Sequence, residues 1–287
     1  MAIFTNQATL SYNGNVVTSN IVTGELVEAL SAVKTAVLPT YGTGEGITYI
    51  ISLVNAGATP LVGLTLVDDL GAYPFGTGTL VPLDYVAGSI KYYVNGVLQP
   101  APAVTAGPPL TVGGVSVPAG GNTVLVYEAT PNEFAPLGPS GSVTNTATLQ
   151  GTGLVTPVTA EETVIAGDGG GLRILKSLEP SVVTQGDPLT YTIIAENYSS
   201  TPILAADNAV LSDTFSPILL QPTVTYNGLP WTENVQYVYN EATGAFSTVP
   251  GFVTVPAATY TQNPVTGAWS VVPGVATLTV TGTLSLA

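Results

Sequence analysis

Along much of this chain apolar residues recur at every second position. ITYIISLVN (Ile47 to Asn55), VLVYEA (Val124 to Ala129) and LTYTIIAEN (Leu189 to Asn197) carry that period, which sends one side of an extended segment into a core and leaves the other side wet. Such stretches predict half-buried strands of antiparallel sheets. The chain has 32 Gly and 23 Pro, and where they punctuate these stretches they supply tight turns. No segment has the apolar spacing of a convincing helix, so the fold class expected is all-β.

The pattern repeats. AVKTAVLPTYGTGEGITYIISLVNAG (Ala32 to Gly57) aligns with ILKSLEPSVVTQGDPLTYTIIAENYS (Ile174 to Ser199). Lys34 and Lys176 each precede a Thr (Thr48, Thr190) by 14 residues, Asn55 and Asn197 each follow that Thr by 7, and Asp69 and Asp213 follow it by 21 and 23. Recurrence at fixed spacing means one module used twice, and 287 residues suit two domains that each bury a core. The alternation and length of each copy predict tandem immunoglobulin-like β-sandwiches. The expected organisation is an N-terminal segment 1–29, a first domain 30–166, a Gly-rich linker 167–171 (GDGGG) and a second domain 172–287. No helix and no Walker lysine follows GDGGG, which argues against a phosphate loop.

The two copies end differently. In the first, PAGGNTVLVYEA (Pro118 to Ala129) is followed by TNTATL (Thr144 to Leu149), which reads as a closing strand, and by its return to Val164. In the second, PGVATLTVTGTLSLA (Pro273 to Ala287) matches the earlier of these strands, and the closing segment is missing. Aligning its ATL (Ala276 to Leu278) with TNTATL would complete that domain, but no Asn precedes it. A near copy of the closing segment, FTNQATLSYNGNVVTSN (Phe4 to Asn20), instead stands at the start of the chain. Asn6 precedes Lys34 by 28 residues, much as Asn145 precedes Lys176 by 31. The segment is therefore expected to donate strands to the incomplete second domain of another copy, and a head-to-tail contact that does not close gives an open filament. The alternative is that Met1 to Ala29 is an extra strand of the first domain or a disordered leader.

Charge and composition narrow the function. The formal net charge is -14, opposed only by Lys34, Lys91, Arg173 and Lys176, which argues against nucleic acid or an anionic membrane as partner. With neither Cys nor His there is no disulfide framework, no zinc site of the usual kind and no Ser-His or Cys-His nucleophile. No apolar run reaches the length of a membrane helix, and MAIFTNQATLSYNG lacks the basic region and apolar core of a secretory signal. The expectation is a chain without cofactor or enzymatic activity that either is the mature form of a secreted protein or is made in a cytoplasm and exposed later by another route.

Both copies resemble the domain-of-unknown-function-eleven repeats of prokaryotic surface proteins, whose pattern has a Lys on the first strand, TYTI-N on the next, an Asp-Thr turn, a PG-ATLTV strand and a closing TNTAT strand. More loosely, a two-module chain of this size and composition is similar to small repeat subunits of ribbon- or hair-like appendages on spores of anaerobic bacteria. That resemblance implies a homopolymeric fibre with an anchoring or tip protein as further partner, assembled after mother-cell lysis, which accounts for the missing signal.

Surface fibre domains of this kind of fold can join a strand lysine to an asparagine on the last strand. Burial lowers the lysine pKa so that a neutral amine attacks, while a buried acid polarises the amide and shuttles protons. By spacing, the resemblance implies Lys34 with Asn145 and Asp69 within the first domain, and Lys176 with Asn6 of a neighbouring copy and Asp213 in the second. Asp68 or Glu196 would serve equally as the acid. The plainer alternative is that both lysines snorkel to solvent and both asparagines bond turn backbone. Asp68, Asp69 and Asp84 are candidate calcium ligands, but they lack a regular D-x-D-x-D ladder and fit exposed turn carboxylates better. The rival function is a surface adhesin or carbohydrate-binding module on a repeat stalk, using Trp231, Trp269, tyrosines and the stretch Gln236 to Gly274.

Overall fold

The computed structural model describes residues 2–26, 29–42, 44–168, 171–184 and 186–284. Met1, Val27 and Glu28 of the anticipated donor segment, Gly169 and Gly170 of the linker and residues 285–287 lie outside them. The chain divides into two compact units, Met1–Pro136 with Gly141–Ile165, and Leu137–Ser140 with Ala166–Ala287. Apart from one 3-10 turn at Ala205–Asp207, the regular structure of the described residues is all strand, paired in antiparallel ladders.

The first unit opens with β1 (Ala2–Asn6), β2 (Thr9–Tyr12), β3 (Asn15–Thr18) and β4 (Val22–Leu26). β5 (Leu30–Ala36), β6 (Thr40–Tyr41), β7 (Ile47–Asn55) and β8 (Leu61–Asp68) follow, then β9 (Tyr73–Phe75), β10 (Gly78–Leu80), β11 (Leu83–Tyr85), β12 (Lys91–Val94) and β13 (Val97–Gln99). β14 (Ala103–Thr105), β15 (Leu110–Val117), β16 (Asn122–Pro131), β17 (Ser142–Gln150) and β18 (Val158–Ala166) complete it. One sheet runs β13-β12-β16-β7-β5 with β11 also on β16, and the other runs β14-β15-β8-β17-β18-β6. Period-two alternation builds the core between them. β7 buries Ile47, Tyr49, Ile51 and Leu53, and β8 buries Leu64, Leu66 and Asp68. β15 absorbs an irregularity at Gly113 and Gly114, where its register on β8 shifts and Gly114 takes a positive φ of 77° that a side chain would strain.

The second unit comprises β19 (Leu172–Glu179), β20 (Pro188–Asn197), β21 (Ser212–Thr214), β22 (Leu219–Tyr226), β23 (Leu229–Trp231), β24 (Tyr237–Asn240), β25 (Ala245–Thr248), β26 (Thr259–Gln262), β27 (Trp269–Val272) and β28 (Gly274–Leu284). Its larger sheet, β19-β20-β28-β22-β23, has the order of β5-β7-β16-β12-β13. Thus β28 lies on β20 as β16 lies on β7. A three-stranded sheet, β21-β25-β24, packs on the core through Phe215, Tyr237, Tyr239 and Phe246 against Ile193 and Leu278.

The first four strands form a ribbon rather than part of a sandwich. β1 pairs β4 and β2 pairs β3 around an Asn13-Gly14 turn, both residues having positive φ (47° and 80°) as a type I′ hairpin requires. Ser19 and Ala8 hold the two halves together through Ser19 N–H to Ala8 O (2.8 Å) and Ala8 N–H to Ser19 Oγ (2.9 Å). Among the described residues these strands pair only with each other. Ile3, Phe4, Leu10, Tyr12, Val16 and Val17 are all exposed, and a two-stranded ribbon with both faces wet is marginal by itself.

A contrast in truncation tests this division. Leu66→Ala in the core should cost about 2–5 kcal/mol in urea unfolding of the unpolymerised chain, whereas Leu10→Ala on the ribbon should stay within about 0.5 kcal/mol; a large loss at Leu10 would mean that the ribbon is packed.

Candidate functional site

The inward face of β5 carries Leu30, Ala32 and Lys34, so the lysine points into the sandwich, and both its side chain and that of Asp68 are fully buried. Its Nζ lies 2.7 Å from Asp68 Oδ2. The Tyr127 hydroxyl donates to the same oxygen at 2.7 Å, and Asn145 Nδ2 donates to the Tyr127 hydroxyl at 3.0 Å. Lys34, Tyr49 and Tyr127 come from β5, β7 and β16 of one sheet, Asp68 and Asn145 from β8 and β17 of the other. The polar row Lys34-Asp68-Tyr127-Asn145 therefore spans the core from sheet to sheet. The Tyr49 and Tyr127 rings stack with centroids 5.5 Å apart, and the amine sits 4.9 Å and 5.9 Å from their centroids.

Electrostatics follows from burial. Loss of water pushes the Lys34 ammonium below the usual lysine range, against the pull of Asp68, Asp69 and Glu162. Burial, then the neighbouring Asp68 charge, holds the Tyr127 phenol well above the usual tyrosine range, so it remains a proton donor. Asn145 is buried with its Oδ1 unpartnered among the described residues, although a buried carbonyl without a hydrogen bond is costly. A buried ion pair is seldom the most stable filling of a core, and perturbed groups converging on an unsatisfied amide point to chemistry rather than to stability.

The acid against Lys34 is Asp68 and not Asp69, which the spacing favours. Asp69 lies past the end of β8, and its Oδ1 accepts from Gly71 N (2.8 Å) and Thr146 N (2.9 Å). The alternative acid Glu196 lies on the opposite face of β20 from Ile193, where Tyr198 donates to it at 3.1 Å and Arg173 is 3.8 Å away. The three aspartates do not converge on a cation site: Asp68 faces Lys34, Asp69 caps turn amides, and Asp84 accepts from Asn132 Nδ2 at 3.2 Å. Nor, among the described residues, does any group of three or more acidic side chains form one. Trp231 stacks on Tyr226 at 4.6 Å and so packs within the fold rather than presenting a free aromatic face. The repeated Asn55 and Asn197 are buried staples: each amide donates to two backbone carbonyls, Thr59 and Val117 for the first, Thr201 and Pro256 for the second.

The second unit repeats the pair in an open setting. Lys176 pairs with Asp213, its Nζ lying 4.7 Å from the Tyr191 ring centre and 5.2 Å from that of Phe215, but the lysine side chain is 40% exposed. Leu172 occupies the position of Leu30, opposite Asn197 as Leu30 is opposite Asn55, yet it is 53% exposed where Leu30 is 4%. A groove of about 230 Å³ runs past Ile174, Lys176, Ile193, Leu211 and Asp213. The cause is a missing neighbour. In the first unit β8 is flanked by β15 and by β17, with Asp68 directly opposite Ala147; β21 is flanked by β25, and among the described residues no strand pairs its other edge. Asn6 lies exposed on β1, in register with Val22. Sequence reasoning missed the role of Tyr127, although the alternation of Thr123, Leu125, Tyr127 and Ala129 sends its ring inward.

No family model matches this chain, and no curated protein does. Among solved structures it is similar to BcpA, the major pilin subunit of Bacillus cereus (14% identity, 95% of this chain, 73% of that chain, TM-score 0.37). It is also similar to the full-length major pilin SpaD from Corynebacterium diphtheriae (14%, 85% and 59%, 0.37) and to the pilus backbone RrgB from Streptococcus pneumoniae (12%, 84% and 54%, 0.34). The chain thus spans a little over half the length of the latter two, and at these identities none of them assigns a role to a residue of this chain.

Proposed function

We propose that this chain is the structural subunit of a surface fibre, polymerising head to tail by inserting its N-terminal ribbon into the second unit of another copy. The observation that carries this reading is the match between a lone ribbon and a lone edge. β1 and β2 hold the TNxATL sequence that in the first unit forms β17, and among the described residues no strand occupies the corresponding edge of β21. Aligning the two segments puts Asn6 where Asn145 stands, next to Lys176, with Ala8 opposite Asp213 and Leu10 in the place of buried Leu149. Phe4 and Gly24, a facing pair in which the ring lies over the glycine, would fill the space that Val143 and Val164 fill in the first unit. Unpaired edges recruit strands of matching pattern, and here docking would also cover Leu172 and Ile174.

In this reading both lysines become covalent locks. Lys34 would join Asn145 within the chain and Lys176 would join Asn6 of the neighbour, each with loss of ammonia. A bond from Lys34 to Asn145 closes a loop of roughly 110 residues, for which the chain-entropy relation used for disulfides gives about 4.7 kcal/mol. The domain-of-unknown-function-eleven resemblance fits this role, as does an extracellular appendage as the setting.

Boiled in detergent and run on a denaturing gel, the purified chain should give a ladder of multiples that disappears in Lys176→Ala and in Asn6→Ala. The chain lacking residues 1–29 should form no ordered filament, and ordered filaments from it would sink the donor-strand reading.

A second check concerns the state of the amine. In Asn145→Ala the Lys34 amine stays free, with a folded pKa below its unfolded value. Between those two values the unfolded chain holds the extra proton, so stability rises with pH through that window. Asn145→Ala should therefore gain stability relative to Asn145→Ala/Lys34→Met as urea midpoints are followed into the alkaline range; a relative loss would mean that the folded amine is held above the ordinary lysine value.

A further inference from the structure

Resting on the Lys34–Asn145 bond proposed above, we infer that Tyr127 is a catalytic residue of its formation, relaying a proton from Asp68 to the departing nitrogen of Asn145. Asp68 Oδ2 contacts the amine and the phenol, each at 2.7 Å, but the hydrogen bond to the amide comes from elsewhere: Asn145 Nδ2 meets the Tyr127 oxygen at 3.0 Å. The acid therefore reaches the amide through the phenol. Stacking on Tyr49 fixes the ring, and water is excluded from the row.

The direction of the Asn145–Tyr127 bond shows how the relay would work. In the resting amide the nitrogen lone pair is delocalised, so Nδ2 can only donate, as it does here. Lys34 first passes one proton to Asp68, leaving a neutral amine and a neutral acid, and the amine attacks Asn145 Cγ. At the tetrahedral carbon that delocalisation is gone and Nδ2 becomes basic. Tyr127 then gives Nδ2 its proton and takes the one on Asp68, the Cγ–Nδ2 bond breaks, and ammonia leaves. Asp68 recovers a proton from the new Nζ–H as the amide forms. Atoms and charge balance: one ammonium, one carboxylate and one amide become one secondary amide, one ammonia and one neutral Asp68, which keeps the proton that Lys34 gave up, while Tyr127 is restored. The second unit lacks this group. β28 faces β20 with Val280 opposite Tyr191, where β16 faces β7 with Tyr127 opposite Tyr49, so the Lys176 site has Asp213 without the intervening phenol.

The experiment is intact mass against time after refolding the full chain from denaturant, with Lys176→Ala in every variant, the one called wild type included, so that no bond to a neighbouring copy can form. Wild type should become roughly 17 Da lighter than its sequence mass while Lys34→Ala does not; a wild type of full mass would sink the bond itself, and with it the relay. With that bond established, Tyr127→Phe should lose ammonia about 100-fold more slowly or worse, and Tyr92→Phe, which removes a hydroxyl of the same sheet that bonds the Ser116 backbone and not the row, should react at the wild-type rate. A Tyr127→Phe chain that folds and loses ammonia as fast as wild type would overturn the relay while leaving the bond intact. Should Tyr127→Phe fail to recover the native near-ultraviolet circular dichroism, the rate is read in wild-type chain carrying 3-fluorotyrosine, whose ring and hydroxyl are retained but whose phenol is more acidic. A several-fold change that persists when the same label is placed in Tyr92→Phe supports the relay, and an unchanged rate overturns it.

Discussion

Whether one edge of one short strand is covered decides the character of each unit. An edge strand offers a row of unpaired N–H and C=O groups, and in the first unit β17 takes up that row along β8. The row Lys34-Asp68-Tyr127-Asn145 depends on this closure. With β17 in place Lys34 is sealed from water, Asp68 has no solvent to turn to, and Asn145 is delivered to Tyr127. Across β21 the same lysine and the same acid remain paired, but the lysine keeps 40% of its side chain in solvent, and Leu172 and Ile174 stand uncovered. The two units thus display one module with its edge shut and with its edge open.

That difference also sets the electrostatics. In the open unit a Lys-Asp contact is little more than a surface pair, worth at most about 1 kcal/mol. In the shut unit desolvation dominates, the ammonium is pulled below its usual range, and the aromatic walls of Tyr49 and Tyr127 complete the enclosure. Desolvation is thus what separates the buried pair from the surface pair, since it disfavours the charged amine where water is shut out. Coupling reactivity to the arrival of a strand would keep the second lysine inert until its partner is seated.

Much of this was legible in the residues. The strands, the two modules, the lysine positions and the likeness of Phe4–Asn20 to the closing segment all follow from alternation and spacing, because period two and tight turns are local properties. The identity of the acid was not legible from spacing, because the second copy places its acid two or three residues farther from the shared Thr. Parity would have found it: Leu64 and Leu66 face inward on β8, so Asp68 does too and Asp69 falls in the turn. Tyr127 was hidden for another reason. Its role depends on which strand of the opposite sheet lies across from it, and that is a property of the sandwich rather than of any one segment. The buried amides of Asn55 and Asn197 were visible as repeat markers, but their function as ties for loop carbonyls needed the loops.

The register of Asn145 has a mechanical meaning. It sits in the first half of β17, and in sequence β18 and the start of β19 stand between it and Lys176. In a fibre whose lysines are joined to asparagines, tension entering at residue 6 would pass to residue 34, cross to residue 145, and leave at residue 176 for the next subunit. The backbone between Lys34 and Asn145, including most strands of the first sandwich, would carry no load, and so would everything beyond Lys176. Pulling such a fibre would load residues 6–34 and 145–176, which include β17 and β18, while the other core strands stay slack, so its extensibility would be set by those two stretches.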